Sequence, residues 1–511
     1  MNITDAIWRR MHEAPGHTAI VQAGRPITYG GLRDATERLV TRLVRLGVGA
    51  GDCVAVSFMQ PSAHVSLVLA IARMGAVYVP FQSNWPDGRK DELARRHRIV
   101  KWFRDDHDAW VSSALEAHDH VSVATLFGGL ESERPSVQMP PAGREDEPWR
   151  VAFSSGTTGS PKSIPWTHRS GHLLQALLMG TYECRAGSRL LVFAGIGIGL
   201  SLGHSMLQLA GGGTVLYPAS AKPADLFRLF RTHQPTAILT STQGATLLIA
   251  HLDSHPADGV DLPGSLRSIT LGGSVVPPAL AEAIRRRICP NLQVTYGSTE
   301  VGTIALADPE TTAAAPGSAG RVMAWIEAQA LDGEGQVLPP GMSGLLRFRS
   351  PAMASGYLGD PQAHDKAFRA GWFYPGDTGA IDERGYLTLG ARADHLINLH
   401  GVKMDPVLIE QVLCSDPAVR DAAVAAVDTP RGGRALVAAV VSEAGKPVPA
   451  ERLQSMCLDQ IGAHARFHRI LALVDLPRTP AGKLDRPALA ERLAQLVGPP
   501  RPDAPDERLS T

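Results

Sequence analysis

Lysine is scarce in this chain, cysteine scarcer still, and neither sign of charge prevails. The five cysteines, Cys53, Cys184, Cys289, Cys414 and Cys457, stand apart with no CxxC pair. That spacing argues against a disulfide framework or a thiolate zinc site and suits a reducing compartment. Lys+Arg and Asp+Glu both number 50, so no basic field is on offer to nucleic acid or anionic lipid. Only 8 of the 50 basic residues are lysines, which makes a lysine inside a motif harder to ascribe to chance. The opening "MNITDAIWRRMHEAPGH" lacks the apolar core of a signal peptide. One long uncharged stretch, Leu190 to Ala219, invites a membrane reading, but glycines and Pro218 interrupt it. It reads instead as a buried strand, a Gly-rich loop and a second strand. The expectation is a cytoplasmic protein with neither a membrane nor a nucleic-acid partner.

What is present is an ordinary globular mix, 44% hydrophobic and 20% charged over 511 residues, enough for two or more domains. "ITYGGLRDATERLVTRLVRLGV" carries Leu and Val at helical spacing and runs into the apolar strand "CVAVSF". "SAHVSLVLAIARMGAVYVPF" repeats the pattern, as do "LFRLFRTHQPTAILT" and "SLRSITLGG". Strands alternating with helices predict an α/β fold with mostly parallel sheets flanked by helices. Ligands in such folds sit beyond the carboxyl ends of the strands. From about Gly341 short strands and turns take over, with "DERGY" as a hairpin signal. After Asp394 a compact α+β pattern takes over, and the last residues are Pro-rich and polar. The division expected is 1–393 as a large N-terminal domain with a β-rich subdomain, 394–495 as a small C-terminal domain, and 496–511 as a disordered tail.

The stretch "SSGTTGSPKS", Ser154 to Ser163, is a phosphate-loop composition. A Walker loop requires GxxxxGK[ST], and here Pro161 replaces the second glycine. Proline has no N–H to wrap phosphate, and Pro165 delays any helix after Lys162. The segment reads as a strand entering a hydroxyl-rich loop whose Ser154, Ser155, Thr157 and Thr158 donate hydrogen bonds while Lys162 supplies charge.

This loop resembles the signature of the adenylate-forming superfamily, which comprises acyl- and aryl-CoA ligases, amino-acid-activating domains of peptide synthetases, and luciferases. The resemblance covers nearly the whole chain, with motifs in the family's order: "VTYGSTEVG", "GWFYPGDTG", "ARADHLINLHGVKMDPVLIE" and "PRTPAGKLDR". It implies that a carboxylate attacks the α-phosphorus of Mg-ATP to give acyl-adenylate and pyrophosphate, after which a thiol takes the acyl group. Thr157, Thr158, Gly159 and Lys162 would then cover the β- and γ-phosphates, with Ser155, Gly273 and Gly297 in the nucleotide-binding set. By the same resemblance Tyr296 stacks on adenine, Thr299 reaches the α-phosphate, and Glu300 anchors Mg²⁺, an oxygen ligand for a hard cation. Asp377 takes the ribose hydroxyls and Arg392 contacts ribose and phosphate. Lys483 bridges carboxylate and α-phosphate in the transition state. Asp394 would be the hinge about which a mobile small domain swings. Pro375, Ala391 and Asn398 depart from the usual Thr, Gly and Lys, and none of them removes a catalytic group.

The acid pocket should be lined by "FAGIGIGLSLGH", "TSTQGA", "LGGSVV" and the approach to Tyr296. No Asp lies between Leu190 and Ala219 to pair with an α-ammonium, whose burial without a counter-charge costs several kcal/mol, so an α-amino acid is disfavoured. His204 either lines this pocket or is a satisfied core histidine. The expected partners are a small carboxylic acid, acyl or aryl, and either coenzyme A or the phosphopantetheine arm of a carrier protein. A luciferase-like oxidase, a P-loop NTPase and a non-catalytic binding module remain as alternatives.

Overall fold

The computed structural model describes residues 1–83, 85–106, 112–135, 144–154, 161–254, 264–273, 275–392, 397–399, 402–429, 433–443, 446–478 and 484–498. Two large sheets organise the N-terminal part. One has nine strands, six of which are parallel neighbours: Leu292–Ser298, Ser268–Gly272, Ala237–Thr240, Arg189–Phe193, Thr214–Tyr217 and Thr18–Gln22. The other has six strands, in the order His120–Ser122, Ile99–Arg104, Cys53–Val56, Val77–Pro80, Pro148–Ser154 and Lys162–Thr167, and only the last pair is antiparallel.

Side-chain alternation shows that both faces of each sheet are covered. In the nine-stranded sheet Ile20, Val192, Val215 and Tyr217 enter one core, whereas Val21, Leu191, Phe193 and Leu216 enter another. Val54, Val56 and Tyr78 of the second sheet join the first of these cores. The helix Pro61–Arg73 lies in that shared core and is buried without a break from Ser62 to Ala72. An apolar helix with no polar face fits only such a position.

The uncharged stretch Leu190–Ala219 corrects one expectation. A twelve-residue helix, Gly199–Ala210, stands between its two strands where a Gly-rich loop was expected. Leu202, Met206 and Leu209 recur at helical spacing and bury in the shared core, and that packing outweighs the glycines' poor propensity. Among the described residues no helix is long and apolar enough to cross a membrane.

The β-rich subdomain is an antiparallel sheet containing Glu327–Leu331, Gly344–Arg349, Asp377–Ile381 and Leu387–Arg392. Its "DERGY" turn forms as expected, with Asp382 accepting from the N–H groups of Arg384 and Tyr386. The C-terminal portion has a three-stranded sheet of Val419–Asp428, Arg434–Ser442 and Arg469–Ala472. Ala422 and Val424 face a core shared with helices Pro406–Cys414 and Ala450–Gln460, whereas Ala423 and Val427 face the helix Arg486–Val497. That last helix runs two residues past the expected start of the tail.

Candidate active site

The strand Pro148–Ser154 leads into residues 155–160, which lie outside the described residues together with Ser155, Thr157, Thr158 and Gly159. Lys162 opens a second strand, Lys162–Thr167, paired antiparallel with the first. A Walker lysine opens a helix, so this loop belongs to a different architecture. Pro165 sits in that strand at the sheet edge, where a missing N–H is tolerated.

Two contacts fix Lys162. Ser163, 1% exposed, has its hydroxyl 2.9 Å from His97 Nε2, and its carbonyl accepts from Leu358 N at 2.8 Å. The second contact draws the segment "GYLGD" against the strand and places Tyr357 under the lysine, whose ammonium lies 5.0 Å from the ring centroid. Tyr357 Oη then donates to Glu300 Oε1 at 2.8 Å. Glu300 is 5% exposed, and its carbonyl accepts from Ala354 N. Thr299 is held through its carbonyl, which accepts from Trp166 Nε1 at 3.0 Å. Lys162 and Glu300 are thus joined by one tyrosine.

A second group lies beside the first. The antiparallel register sets Asp377 opposite Arg392, with Arg392 Nη1 at 3.6 Å from Asp377 Oδ1 and donating to Pro375 O at 3.0 Å. Pro375 therefore contributes the carbonyl that steadies the guanidinium. Gly376 turns the chain there at φ +83°, and a β-carbon on it would sit 3.1 Å from Arg392 Nη2. Tyr296 Oη donates to Asp377 Oδ2 at 2.5 Å. Gly297 passes so close to the neighbouring strand that a β-carbon would meet Gly302 O at 2.2 Å. Ala391, buried, donates its N–H to Asp405 Oδ2.

The two groups share one field. Burial, then the charge of Asp377 and its hydrogen bond, push the Tyr296 phenol well above its ordinary range, and Glu300 adds to the rise. Burial and then Glu300 push Tyr357 up, while Arg392 pulls it back. Both tyrosines are neutral donors to carboxylates at any physiological pH.

Lys162, Tyr296, Thr299, Glu300, Asp377 and Arg392 come together, and Gly273 (φ +89°) stands just beyond the carboxyl end of the strand Ser268–Gly272. Lys483 and Asp394 lie outside the described residues. Sequence reasoning missed Tyr357 and His97. The only available signal for the tyrosine was an aromatic framed by Gly356 and Gly359. Among the described residues no cluster of three His, Cys, Asp or Glu side chains could hold a metal by itself. A lone carboxylate such as Glu300 fits Mg²⁺, which keeps waters and takes its other ligands from phosphates.

In the segments expected to line the acid pocket, two glycines allow close packing. A β-carbon on Gly244 would meet Thr240 Oγ1 and Phe193, and one on Gly272 would meet Thr295 Oγ1 and Leu200. His204 belongs to the core: it is 6% exposed, its Nδ1 is 3.0 Å from Leu200 O, and it packs edge-on to Tyr182 at 4.7 Å. Burial lowers its pKa to about 4. It borders a water-sized cavity with Tyr182, Cys184 and Gln208.

Comparison with known proteins matches most of the chain. The family described as AMP-binding enzyme matches residues 7–358, and that described as AMP-binding enzyme C-terminal domain matches 408–483. An indoleacetate–CoA ligase of Aromatoleum aromaticum is 28% identical over 97% of this chain and 99% of its own length. A fatty acid–[acyl-carrier-protein] ligase, ScoC, of Streptomyces coeruleorubidus is 27% identical over 94% of each. The solved structure of the amide bond synthetase McbA from Marinactinospora thermotolerans superposes with a TM-score of 0.85 at 25% identity, covering 95% of this chain and 99% of that one.

Proposed function

The chain belongs to the AMP-binding enzyme family, and from that premise we propose that it is a cytoplasmic acid–thiol ligase. It adenylates a carboxylic acid with ATP, releases pyrophosphate, and passes the acyl group to a thiol, most simply that of coenzyme A. The observation that carries this reading is the convergence of Lys162, Tyr357 and Glu300 with Tyr296, Asp377 and Arg392, drawn from segments far apart in the chain into one field.

Each residue has a task in the first half-reaction, where two anions must meet and oriented positive charge supplies most of the catalysis. Lys162, with the hydroxyls and N–H groups of Ser155, Thr157, Thr158 and Gly159, covers the β- and γ-phosphates. Asp377 accepts from the ribose hydroxyls, and Arg392 steadies that carboxylate and the phosphate side of the sugar. Tyr296 packs on the adenine, with Gly273 and Gly297 bringing backbone close to the nucleotide. Thr299 reaches the α-phosphate. Glu300, oriented by Tyr357, would hold Mg²⁺, which supplies charge neutralisation on the phosphates when bound. Lys483 carries its ammonium to the carboxylate and α-phosphate. Asp394 is where the small domain would pivot between the two half-reactions.

Loading of a carrier protein's phosphopantetheine arm is a second reading, favoured by the carrier-protein ligase among the relatives. A pyrophosphate-exchange screen over carboxylic acids, followed by mass spectrometry with coenzyme A and with carrier protein, tests both. Exchange with at least one acid and an acyl thioester as product is the expected result. ADP formation without exchange would overturn both readings.

A further inference from the structure

Arg150 is a partly buried cation without an anion among the described residues. It stands opposite Tyr78 in the parallel ladder and shares the face of Ala152, which enters the core between the two large sheets. A guanidinium has five N–H donors, yet this one lies over the Tyr78 ring, its carbon 5.8 Å from the centroid. Its Nε is sealed from solvent without a hydrogen-bond partner. Among the described residues no carboxylate forms an ion pair with it. His64, 1% exposed, has its Nδ1 2.8 Å from Phe58 O and its Nε2 2.8 Å from Tyr78 Oη. A carbonyl at Nδ1 requires the proton there, and in the neutral ring Nε2 then accepts from Tyr78. Burial, with Arg150 adding to the effect, keeps the ring neutral, with a pKa of about 4.

A second positive feature meets the first. The helix Gly199–Ala210 starts beside Arg150: a β-carbon on Gly199 would lie 3.0 Å from Arg150 Nη2. This helix has no side-chain cap and no acidic residue in its first turn, so its leading N–H groups present the positive end of the helix dipole. In the same turn Ser201 is 0% exposed, and its hydroxyl is buried without a partner. A cation facing a helix N-terminus is electrostatically unfavourable unless an anion lies between them.

The same turn reaches the nucleotide site. Leu200 packs where a β-carbon on Gly272 would be, 2.9 Å from its Cδ2, and that position is also 2.5 Å from Thr295 Oγ1, beside Tyr296. We propose that Arg150 and the first turn of the Gly199–Ala210 helix form the far end of the acid pocket and bind a second carboxylate, so that the substrate is a dicarboxylic acid. This assignment deepens the adenylation reading and rests on it. A planar guanidinium matches a carboxylate with two parallel hydrogen bonds, and the pocket would repel an ammonium for the same reason.

The test pairs acids of the same skeleton, succinate, adipate, suberate and terephthalate against butyrate, hexanoate, octanoate and benzoate, on the full chain. Without ATP, at least one dicarboxylate should raise the thermal midpoint of the wild type while its monoacid and inorganic phosphate do not. With ATP, kcat/KM for pyrophosphate release should favour that dicarboxylate at least tenfold. Arg150→Met should erase both effects, and Arg150→Lys should restore part of the preference. Monoacids turned over as well as dicarboxylates by the wild type would overturn the proposal, as would a preference that survives Arg150→Met. Should Arg150→Met fail to fold, the wild-type pairs decide alone. Should no acid release pyrophosphate, the adenylation reading falls separately. An Arg150-dependent thermal shift would still support the anion site, and no shift with any dicarboxylate would count against it.

Discussion

Replacing Tyr357 by phenylalanine deletes one oxygen and keeps the ring on which the Lys162 ammonium rests at 5.0 Å. The lost group is the donor to Glu300 Oε1 at 2.8 Å, in a place where the carboxylate is only 5% exposed and water is a poor substitute. A hydrogen bond to a charged group is worth about 1.5–3 kcal/mol. If that bond orients Glu300 in the transition state, the loss corresponds to roughly ten- to a hundredfold in kcat/KM for Mg-ATP. Pyrophosphate release at saturating acid, with ATP and Mg²⁺ varied, measures it. Tyr357→Leu removes the ring as well and should lose a further few-fold, the scale of a partly exposed cation–π contact at about 0.5–1 kcal/mol. A folded Tyr357→Phe enzyme within twofold of wild type would refute the claim that this tyrosine positions Glu300.

Asp377→Asn takes away the negative charge that faces Tyr296 and Arg392 and turns one acceptor oxygen into a donor. KM for ATP should rise about tenfold or more, and discrimination against deoxyribose analogues of ATP should disappear. Equal discrimination in both enzymes would argue against a ribose role. Lys483→Ala should slow adenylation about a hundredfold or more while thiolation of pre-formed adenylate stays near wild type. Loss of both halves alike would contradict a lysine used in one half only. His64, His97, His168 and His204 are each brought by burial to a pKa of about 4, against an ordinary 6.5. Between those values the unfolded chain takes up protons that the native state refuses, so stability falls as pH drops through the window. Each histidine contributes about 1.4 kcal/mol per pH unit. A thermal midpoint that stays flat from pH 6.5 down to 4.5 would show that these histidines are not neutral in the folded protein.

Local patterns made the large features legible in the sequence. The helix at Pro61–Arg73, the strand pairs of the C-terminal portion and the hairpin after Ile381 all have short-range signals. Tyr296, Glu300, Asp377 and Arg392 could be singled out because each lies in a short contiguous motif that is readable without its partners. Tyr357 was not, since its place depends on the pairing of Ser163 with Leu358, a contact between distant segments that spacing cannot reveal. Helix Gly199–Ala210 was hidden by its glycines, because burial between sheets, and not propensity, holds it. Arg150 likewise looked like any strand arginine until the structure set it beside Tyr78 and Gly199 with its Nε sealed from solvent.

The most direct test labels the acid. Turnover of an acid carrying ¹⁸O in its carboxylate should leave one labelled oxygen in AMP, because that oxygen bonds to the α-phosphorus and stays there when the thiol takes the acyl group. Label recovered in orthophosphate, with ADP as the nucleotide product, would contradict the account.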